Sequence, residues 1–327
     1  MTAPAPVLAI EGLKTHIHLK RGVVRAVDGV DLTVGAGETL GLVGESGSGK
    51  SMTGLSILRL LPKGAGKIVA GSIRLDGEEL TTLPEKVLAR DVRGRRVAMI
   101  AQDPMTSLNP VFSIGDQVSG PFRYHGGLPR QEARAAAIDV LQRVRIPSPE
   151  KRLGDYPHQF SGGQRQRIVT AMAIGRGPRL LIADEPTTAL DVTIQAQMIA
   201  LLRRLQQESG AGIILITHDL GVAASLCNRI AVMYAGRIVE TGPVREVFRN
   251  PAHPYTRALL AAIPKLGSRG RRLVAIPGQP PSLIDPPAGC RFAARCPLKV
   301  SACDAYPQTT AVGPDHSVAC WRAGEAV

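Results

Sequence analysis

The stretch Gly44-Glu45-Ser46-Gly47-Ser48-Gly49-Lys50-Ser51 has the spacing G-x-x-x-x-G-K-[ST], which is typical of a loop that surrounds the phosphates of a nucleotide. An apolar, strand-like run over residues 39–43 precedes it, and a helical pattern of apolar residues follows it. The glycines let backbone N–H groups approach an anion closely, and the positive end of the next helix attracts that anion. Lys50 supplies a charge for the β- and γ-phosphates, and the Ser51 hydroxyl can ligate Mg²⁺. A Gly/Ser turn before a surface lysine is the alternative, and the rest of the chain argues against it.

Two carboxylates lie farther along the chain, where the apolar run 180–183 ends in Asp184-Glu185. A continuous apolar run is typical of a parallel strand that is covered on both faces. Because α/β sheets bind ligands at the carboxyl ends of their strands, these carboxylates are well placed for a nucleotide site. Asp184 suits the Mg²⁺ shell, and Glu185 suits polarising the water that attacks a γ-phosphate. Alone, such a pair would be a solvated strand end; downstream of a phosphate loop we favour catalysis.

A second helix start shaped for phosphate occurs in Phe160-Ser161-Gly162-Gly163-Gln164-Arg165-Gln166-Arg167. Ser161 can cap the helix that follows, and the two glycines leave its first N–H groups open to an anion. One γ-phosphate that the first loop already binds has no obvious use for a second loop of the same chain. We therefore predict a head-to-tail dimer, in which Ser161 of one chain faces the phosphate loop of another.

Composition narrows the class of protein. The chain has 327 residues, of which 44% are hydrophobic, enough for one large or two ordinary folded domains. The net charge of +13 is scattered, so it fits a nucleic-acid partner, an anionic lipid surface, a nucleotide groove or simply a solvated basic surface. No apolar run reaches the roughly 18 to 20 residues that span a bilayer, and the start lacks the features of a secretion signal. We expect a cytosolic chain.

Alternation of apolar and polar residues over 7–40 predicts a small antiparallel sheet, and residues 71–77 resemble a further hairpin. Apolar runs predict buried strands at 96–100, 180–183, 212–216 and 230–234. Helical patterns lie at 108–176, 192–207 and 221–227. The predicted fold is α/β: a P-loop NTPase (RecA-like) core with an antiparallel β subdomain and an inserted helical subdomain, followed by a loop-rich, proline-rich C-terminal extension.

The motifs occur in an order that resembles the ATP-binding subunits of ABC transporters. The resemblance covers roughly residues 7–250 and rests on the phosphate loop, Gln102, Ser161 to Gln164, Asp184-Glu185, Ala189-Leu190-Asp191 and His218. It implies ATP and Mg²⁺ as cofactors and an ATPase coupled to transport. By this likeness Gln102 senses Mg²⁺ and the attacking water, and also contacts the transmembrane subunit. Asp191 lies across the dimer interface, and His218 holds the γ-phosphate and orients the water with Glu185.

A narrower resemblance points to the dipeptide/oligopeptide (or nickel) importer branch. It rests on residues 102–110, Tyr156-Pro157-His158, His253-Pro254-Tyr255-Thr256, residues 276–281 and the cysteine-bearing tail. It implies a nucleotide-binding domain over residues 1–250, with a helical subdomain over about 103–176, and an extension over 251–327. One departure is that residues 10–30 lack the aromatic on which such proteins often stack adenine. His16, His18, Arg21 and Val24 are the alternatives.

The same resemblance implies the partners. They are a second ATP-binding subunit (this chain or a paralogue), two transmembrane permease subunits and an extracytoplasmic solute-binding protein. The chain is then peripheral, on the cytoplasmic face of the inner membrane, and a groove near residues 102–110 receives the permease. The solute is a dipeptide or oligopeptide, with nickel or another small solute as the alternative. A soluble ABC-type ATPase acting on nucleic acid is the main rival, but we expect no nucleic-acid partner because paired nucleotide domains and long coiled-coil insertions are missing from the sequence.

Four of the five cysteines crowd into the tail: Cys290, Cys296, Cys303 and Cys320. Zinc sites usually contain a close C-x₂₋₄-C pair, which this pattern lacks. Thiolates at looser spacing, one followed by proline, fit a [4Fe–4S] cluster better, although the spacing is not that of ferredoxins. The family resemblance points to such a cluster too, and a zinc site or four reduced thiols are the alternatives. The fifth cysteine, Cys227, lies in a helical pattern and is predicted to pack in the core.

Overall fold

The computed structural model describes residues 5–188, 190–263 and 275–325. Within these residues the strands are β1 (Leu8–Leu19), β2 (Gly22–Val34), β3 (Thr39–Val43), β4 (Gly66–Leu75), β5 (Glu78–Glu79), β6 (Val97–Ile100), β7 (Leu180–Asp184), β8 (Gly212–Thr217), β9 (Arg229–Tyr234), β10 (Arg237–Pro243), β11 (Thr310–Gly313) and β12 (His316–Val318). The α-helices are α1 (Lys50–Ile57), α2 (Glu85–Val87), α3 (Pro104–Ser107), α4 (Ile114–Tyr124), α5 (Arg130–Arg143), α6 (Pro149–Arg152), α7 (Gly162–Ile174), α8 (Val192–Ser209), α9 (Leu220–Leu226), α10 (Val244–Arg249) and α11 (Pro254–Ala261).

The chain divides into two compact units. The helical unit comprises the described residues within 5–7, 34–38 and 82–215. The sheet unit comprises those within 8–33, 39–81 and 216–325. The sheet unit thus includes residues on both sides of the predicted domain boundary at residue 250, because β12 pairs with β10.

In the helical unit, β6 and β7 pair in parallel, with Val97 opposite Leu180 and Ile100 opposite Ala183. Every residue of β7 is buried, which agrees with the continuous apolar run predicted to be covered on both faces. Helices α4 and α5 pack on each other and on α7. They bury apolar side chains that recur at helical spacing on one face, as an amphipathic helix requires. Examples are Val118, Phe122, Ala137, Leu141 and Ile168.

The sheet unit contains two sets of paired strands. The first has the order β2-β1-β4-β5, and β1 pairs with β4 in antiparallel register, with Leu8 opposite Leu75 and Ile10 opposite Ile73. This is the antiparallel subdomain that the alternating pattern predicts, although its strands are longer than the short stretches suggest. The second has the order β11-β12-β10-β9-β3, in which β3 and β9 are parallel.

The C-terminal residues of the sheet unit are joined to its strands by a buried carboxylate. Glu240 on β10 accepts hydrogen bonds from the backbone N–H groups of Ala252 (2.7 Å) and His253 (2.9 Å). The Nε2 atom of His316 on β12 lies 2.8 Å from the same carboxylate. A buried carboxylate is stable only when its oxygens are hydrogen-bonded, so these three donors explain how Glu240 is accommodated.

None of the helices in the described residues combines the length and hydropathy that crossing a bilayer needs.

Candidate functional site

The phosphate loop lies between a buried strand and a helix, as predicted. All five residues of β3 are buried, and α1 begins at Lys50. The buried Lys50 ammonium donates to the carbonyl oxygens of Gly44 (2.8 Å) and Glu45 (2.9 Å). The lysine charge is therefore held within its own loop, where an anion bound by the loop would meet it.

Two glycines of this loop cannot be replaced without strain. Gly44 and Gly49 have φ values of 154° and 107°, a region that side-chain-bearing residues rarely adopt. A Cβ atom on Gly44 would overlap the carbonyl oxygen of Met233, and one on Gly49 would overlap that of Ala26. The loop is thus pressed against the backbone of β9 and β2, which accounts for glycine at both positions.

The predicted catalytic carboxylate belongs to the helical unit. Glu185 follows β7 directly and has a left-handed backbone, with φ of 47°. Its Oε2 accepts hydrogen bonds from Gln102 Nε2 (2.8 Å) and from Thr188 Oγ1 (2.9 Å). The structure therefore brings together two predicted catalytic residues that are far apart in sequence. Thr188 was not predicted from the sequence.

Asp184 is the last residue of β7 and is buried. His218 follows β8 and is exposed, in the segment that belongs to the sheet unit. The next residue, Asp219, caps α9 by accepting the N–H groups of Gly221 (2.8 Å) and Val222 (3.1 Å). This cap explains the position of the Asp in Thr217-His218-Asp219, because it satisfies donors at the helix start.

The serine-glycine stretch forms the predicted cap. Ser161 Oγ accepts the N–H of Gln164 (3.3 Å), and the Gln164 side chain accepts the N–H of Ser161 (3.1 Å). This reciprocal capping box fixes the start of α7. Ser161 and Gly162 are exposed, whereas a Cβ on Gly163 would lie 2.8 Å from the side chain of Ile194, so that glycine allows α7 and α8 to approach.

Asp191 caps the next long helix. Its side chain accepts the N–H of Ile194 (2.9 Å) at the start of α8, and Asp191 itself is exposed. Ala189, the first residue of the predicted Ala-Leu-Asp motif, lies outside the described residues.

The four tail cysteines belong to the sheet unit, where the N–H of Cys290 donates to the carbonyl oxygen of Cys303 (2.9 Å). Burial raises the pKa of the Cys290 thiol to about 11. Burial likewise raises the pKa of Cys296 and of Cys320. Within the described residues, however, no group of three or more His, Cys, Asp or Glu side chains could hold a metal ion. Cys227 is buried, as predicted, and burial raises the pKa of its thiol to about 12.

Two residues of the sheet unit contact the phosphate loop although the sequence did not predict them. The Tyr255 hydroxyl accepts the backbone N–H of Glu45 (2.8 Å), and Arg295 forms an ion pair with the Glu45 side chain (2.7 Å). More than 200 residues separate each of them from Glu45, so no local pattern could have indicated these contacts.

Comparison with known proteins identifies the family. An ABC transporter family model matches residues 27–188, and the model described as the oligopeptide/dipeptide transporter C-terminal region matches residues 239–303. The dipeptide transport ATP-binding protein DppD of Bacillus subtilis is 47% identical, covering 96% of this chain and 94% of DppD. The oligopeptide transport ATP-binding protein OppD of Haemophilus influenzae is 46% identical, covering 98% of both chains.

Among solved structures, the ATP-binding cassette MJ0796, in a dimeric post-hydrolysis state bound to ADP and Pi, has a TM-score of 0.64 and 27% identity. The structural match covers 73% of this chain and 99% of the MJ0796 chain. The α/β P-loop fold predicted from the sequence is thereby confirmed. Given the identity and coverage of these matches, the chain belongs to the ABC transporter family, as an ATP-binding subunit of its oligopeptide/dipeptide branch.

Proposed function

We propose that this subunit hydrolyses ATP with Glu185 as the group that polarises the attacking water. The observation that carries the proposal is the position of the Glu185 carboxylate, held by Gln102 (2.8 Å) and Thr188 (2.9 Å) at the end of β7. A carboxylate fixed by two donors is pre-oriented, which a general base requires. Strained, left-handed residues are also concentrated at active sites.

The remaining roles follow from the chemistry of each side chain. Lys50 and the loop N–H groups bind the β- and γ-phosphates, and Ser51 and Asp184 belong to the Mg²⁺ shell together with Gln102. Because Asp184 is buried at a strand end, its carboxylate suits a cation that arrives with the nucleotide. His218 contacts the γ-phosphate. When bound by these residues, Mg²⁺ would neutralise part of the charge that develops on the transferred phosphoryl group.

The second half of each ATP site comes from a partner ATP-binding subunit. The cap at Ser161 leaves an exposed helix start, and Ser161, Gly162, Gly163 and Gln164 present it to the nucleotide of the partner. Asp191, exposed at the start of α8, faces the partner as well. The structurally similar MJ0796 cassette was solved as a dimer, which supports this arrangement.

The energy of hydrolysis powers uptake of dipeptides or oligopeptides. DppD and OppD are named as dipeptide and oligopeptide transport proteins, and their similarity extends through the tail of this chain. Uptake requires two permease subunits and an extracytoplasmic solute-binding protein, with this chain on the cytoplasmic face of the inner membrane. Two exposed apolar residues beyond Gln102, Val111 (71% exposed) and Phe112 (53% exposed), are suited to contact the permease.

The variant Glu185→Gln tests the assignment. It keeps the size of the side chain and its bond to Gln102 but cannot act as a base. We expect ATP binding to persist, ATP hydrolysis to fall by about 100-fold or more, and dimers to accumulate in size-exclusion chromatography with ATP. Hydrolysis at the wild-type rate in this variant would refute Glu185 as the base. Retention on nucleic acid, without permease co-purification, would instead favour the soluble ABC-type alternative.

We also propose that Cys290, Cys296, Cys303 and Cys320 hold a [4Fe–4S] cluster. The proposal is supported by the sequence of the tail: four cysteines lie within residues 290–320, and no two of them have the close C-x₂₋₄-C spacing of zinc sites. A four-iron cluster binds each thiolate through a different iron atom, so its ligands lie farther apart than those of one zinc ion. Four thiolates are the number of ligands that a [4Fe–4S] cluster needs, and a cluster bound by them would cross-link the loop-rich tail.

The test is the iron and sulfide content and the visible absorbance of the anaerobically purified full-length protein. We expect about four irons per chain, and Cys296→Ser should bleach the absorbance. Cys227→Ala is the matched control, since Cys227 is buried in the same unit but is not among the four, and it should stay coloured. A colourless, iron-free wild-type protein excludes the cluster.

A further inference from the structure

Glu45, the second residue of the phosphate loop, is held by the C-terminal part of the sheet unit at both its backbone and its side chain. Its N–H donates to the Tyr255 hydroxyl (2.8 Å). Its carboxylate accepts two hydrogen bonds from the Arg295 guanidinium, at 2.7 Å and 3.0 Å. Such a bidentate pair fixes orientation as well as charge.

Arg295 is itself rigidly placed. Its side chain is 4% exposed, and it also donates to the carbonyl oxygens of Pro277 (2.9 Å) and Ile276 (3.3 Å) and to the Tyr234 hydroxyl (3.2 Å). Beneath it, the rings of Tyr234, Tyr255 and Phe292 pack with centroids 4.5 to 5.4 Å apart. A guanidinium held by this many partners loses little further entropy when it binds Glu45.

A second arginine of the same segment, Arg291, supports the phosphate loop indirectly, through the turn at Ala235 and Gly236. Arg291 is buried, pairs with Asp28 on β2 and donates to the carbonyl oxygen of Ala235. The next residue, Gly236, donates its N–H to the carbonyl oxygen of Ser48 in the loop (2.7 Å). Arg291 therefore fixes the turn on which Ser48 rests.

The charge of Glu45 is the reason that this contact matters for nucleotide binding. A carboxylate inside an anion-binding loop repels phosphate unless a cation neutralises it, and the repulsion is strong where water is partly excluded. Arg295 supplies that cation, and its attachment to Glu45 also holds the backbone that must approach the phosphates.

We infer that Arg295 is a positioning residue of the nucleotide site, which neutralises Glu45 and holds the phosphate loop in its binding conformation, with Arg291 as a second brace. The cysteine-bearing segment is thus a structural part of the nucleotide site. This inference rests on the proposed role of residues 44–51 in phosphate binding.

The decisive experiment is calorimetric titration of the full-length protein with MgADP, which binds without turnover. Arg295→Gln leaves the charge of Glu45 unopposed, so we expect affinity to fall about tenfold. Adding Glu45→Gln to that variant removes the repulsion, and affinity should return to within about threefold of wild type. Arg295→Lys keeps the charge without the bidentate geometry and should lie between the two. In ATPase assays KM should rise more than kcat falls, which lost folded protein alone would not produce.

Wild-type affinity in Arg295→Gln, or a loss of affinity that Glu45→Gln does not relieve, overturns the inference. If Arg295→Gln fails to fold, Arg295→Lys decides: it keeps a positive charge beside Glu45 but not the bidentate geometry, so MgADP should bind several-fold more weakly than to wild type. Wild-type affinity in Arg295→Lys would then overturn the inference. The variant Lys50→Ala distinguishes failure of the phosphate-loop assignment from failure of the inference about Arg295. Normal MgADP binding by Lys50→Ala refutes the role of residues 44–51 in phosphate binding. If Lys50→Ala loses MgADP binding while the Arg295 variants keep wild-type affinity, only the role of Arg295 is refuted.

Discussion

Glu185, the proposed base, combines a left-handed backbone with a carboxylate that two neighbouring side chains hold in place. Its left-handed conformation costs about 1 kcal/mol for a residue with a Cβ atom. With this backbone conformation, directly after the buried strand β7, the Glu185 side chain forms its hydrogen bonds with Gln102 and Thr188. The Asp-Glu pair was recognisable in the sequence, but its backbone conformation and its contact with Thr188 were not.

His253 provides a pH-dependent test at the same scale. It is fully buried, and its Nδ1 accepts the N–H of Tyr255 (3.0 Å), so the ring is neutral with its proton on Nε2. Burial lowers the pKa of His253 from 6.5 to about 3. Between these values the unfolded chain binds a proton that the folded chain does not. Stability is therefore highest above the unfolded pKa and falls as the pH decreases, by up to about 1.4 kcal/mol per pH unit.

The variant His253→Asn keeps an acceptor for the Tyr255 N–H but cannot titrate. We expect the free energy of unfolding, from denaturant titrations between about pH 7 and pH 5, to depend less steeply on pH than in wild type. His18→Asn, at an exposed position of β1, is the control and should keep the wild-type slope. An unchanged slope in His253→Asn would show that this residue does not dominate the acid sensitivity.

At the scale of elements, several helices begin at a residue whose side chain caps the helix. Ser113, Ser161, Asp191 and Asp219 each accept a backbone N–H at the start of a helix. Capping stabilises any helix, so its presence alone does not separate structural from functional positions. Ser161 differs because two glycines follow it and its helix start is exposed.

Ser113 and Ser161 therefore form a matched pair of cap serines in the helical unit. Replacing either with alanine should cost about 1 kcal/mol of stability, measured by chemical denaturation. Ser161→Ala should in addition reduce ATPase activity by about tenfold or more at saturating ATP, since in the proposed dimer Ser161 contacts the partner's nucleotide. Equal ATPase activity in the two variants would mean that Ser161 only caps its helix.

For the molecule as a whole, the net charge of +13 and the pI near 10 agree with work beside an anionic membrane surface. The exposed side chains of Val111 and Phe112 are available for the permease contact that we propose. The phosphate loop and the described C-terminal residues belong to the same compact unit, so the tail packs as part of the unit that contains the phosphate loop.

The sequence alone determined the class of this protein, because phosphate chemistry demands glycine, lysine and hydroxyl groups at fixed spacing and leaves a readable pattern. It likewise indicated Gln102, Glu185 and the cap at Ser161, since each belongs to a local motif. Only the tertiary structure showed that Arg295 and Tyr255 hold Glu45 and that Arg291 supports Ser48 through the turn at Gly236. Contacts between residues so distant in sequence arise from strand pairing and side-chain packing, which no local pattern encodes.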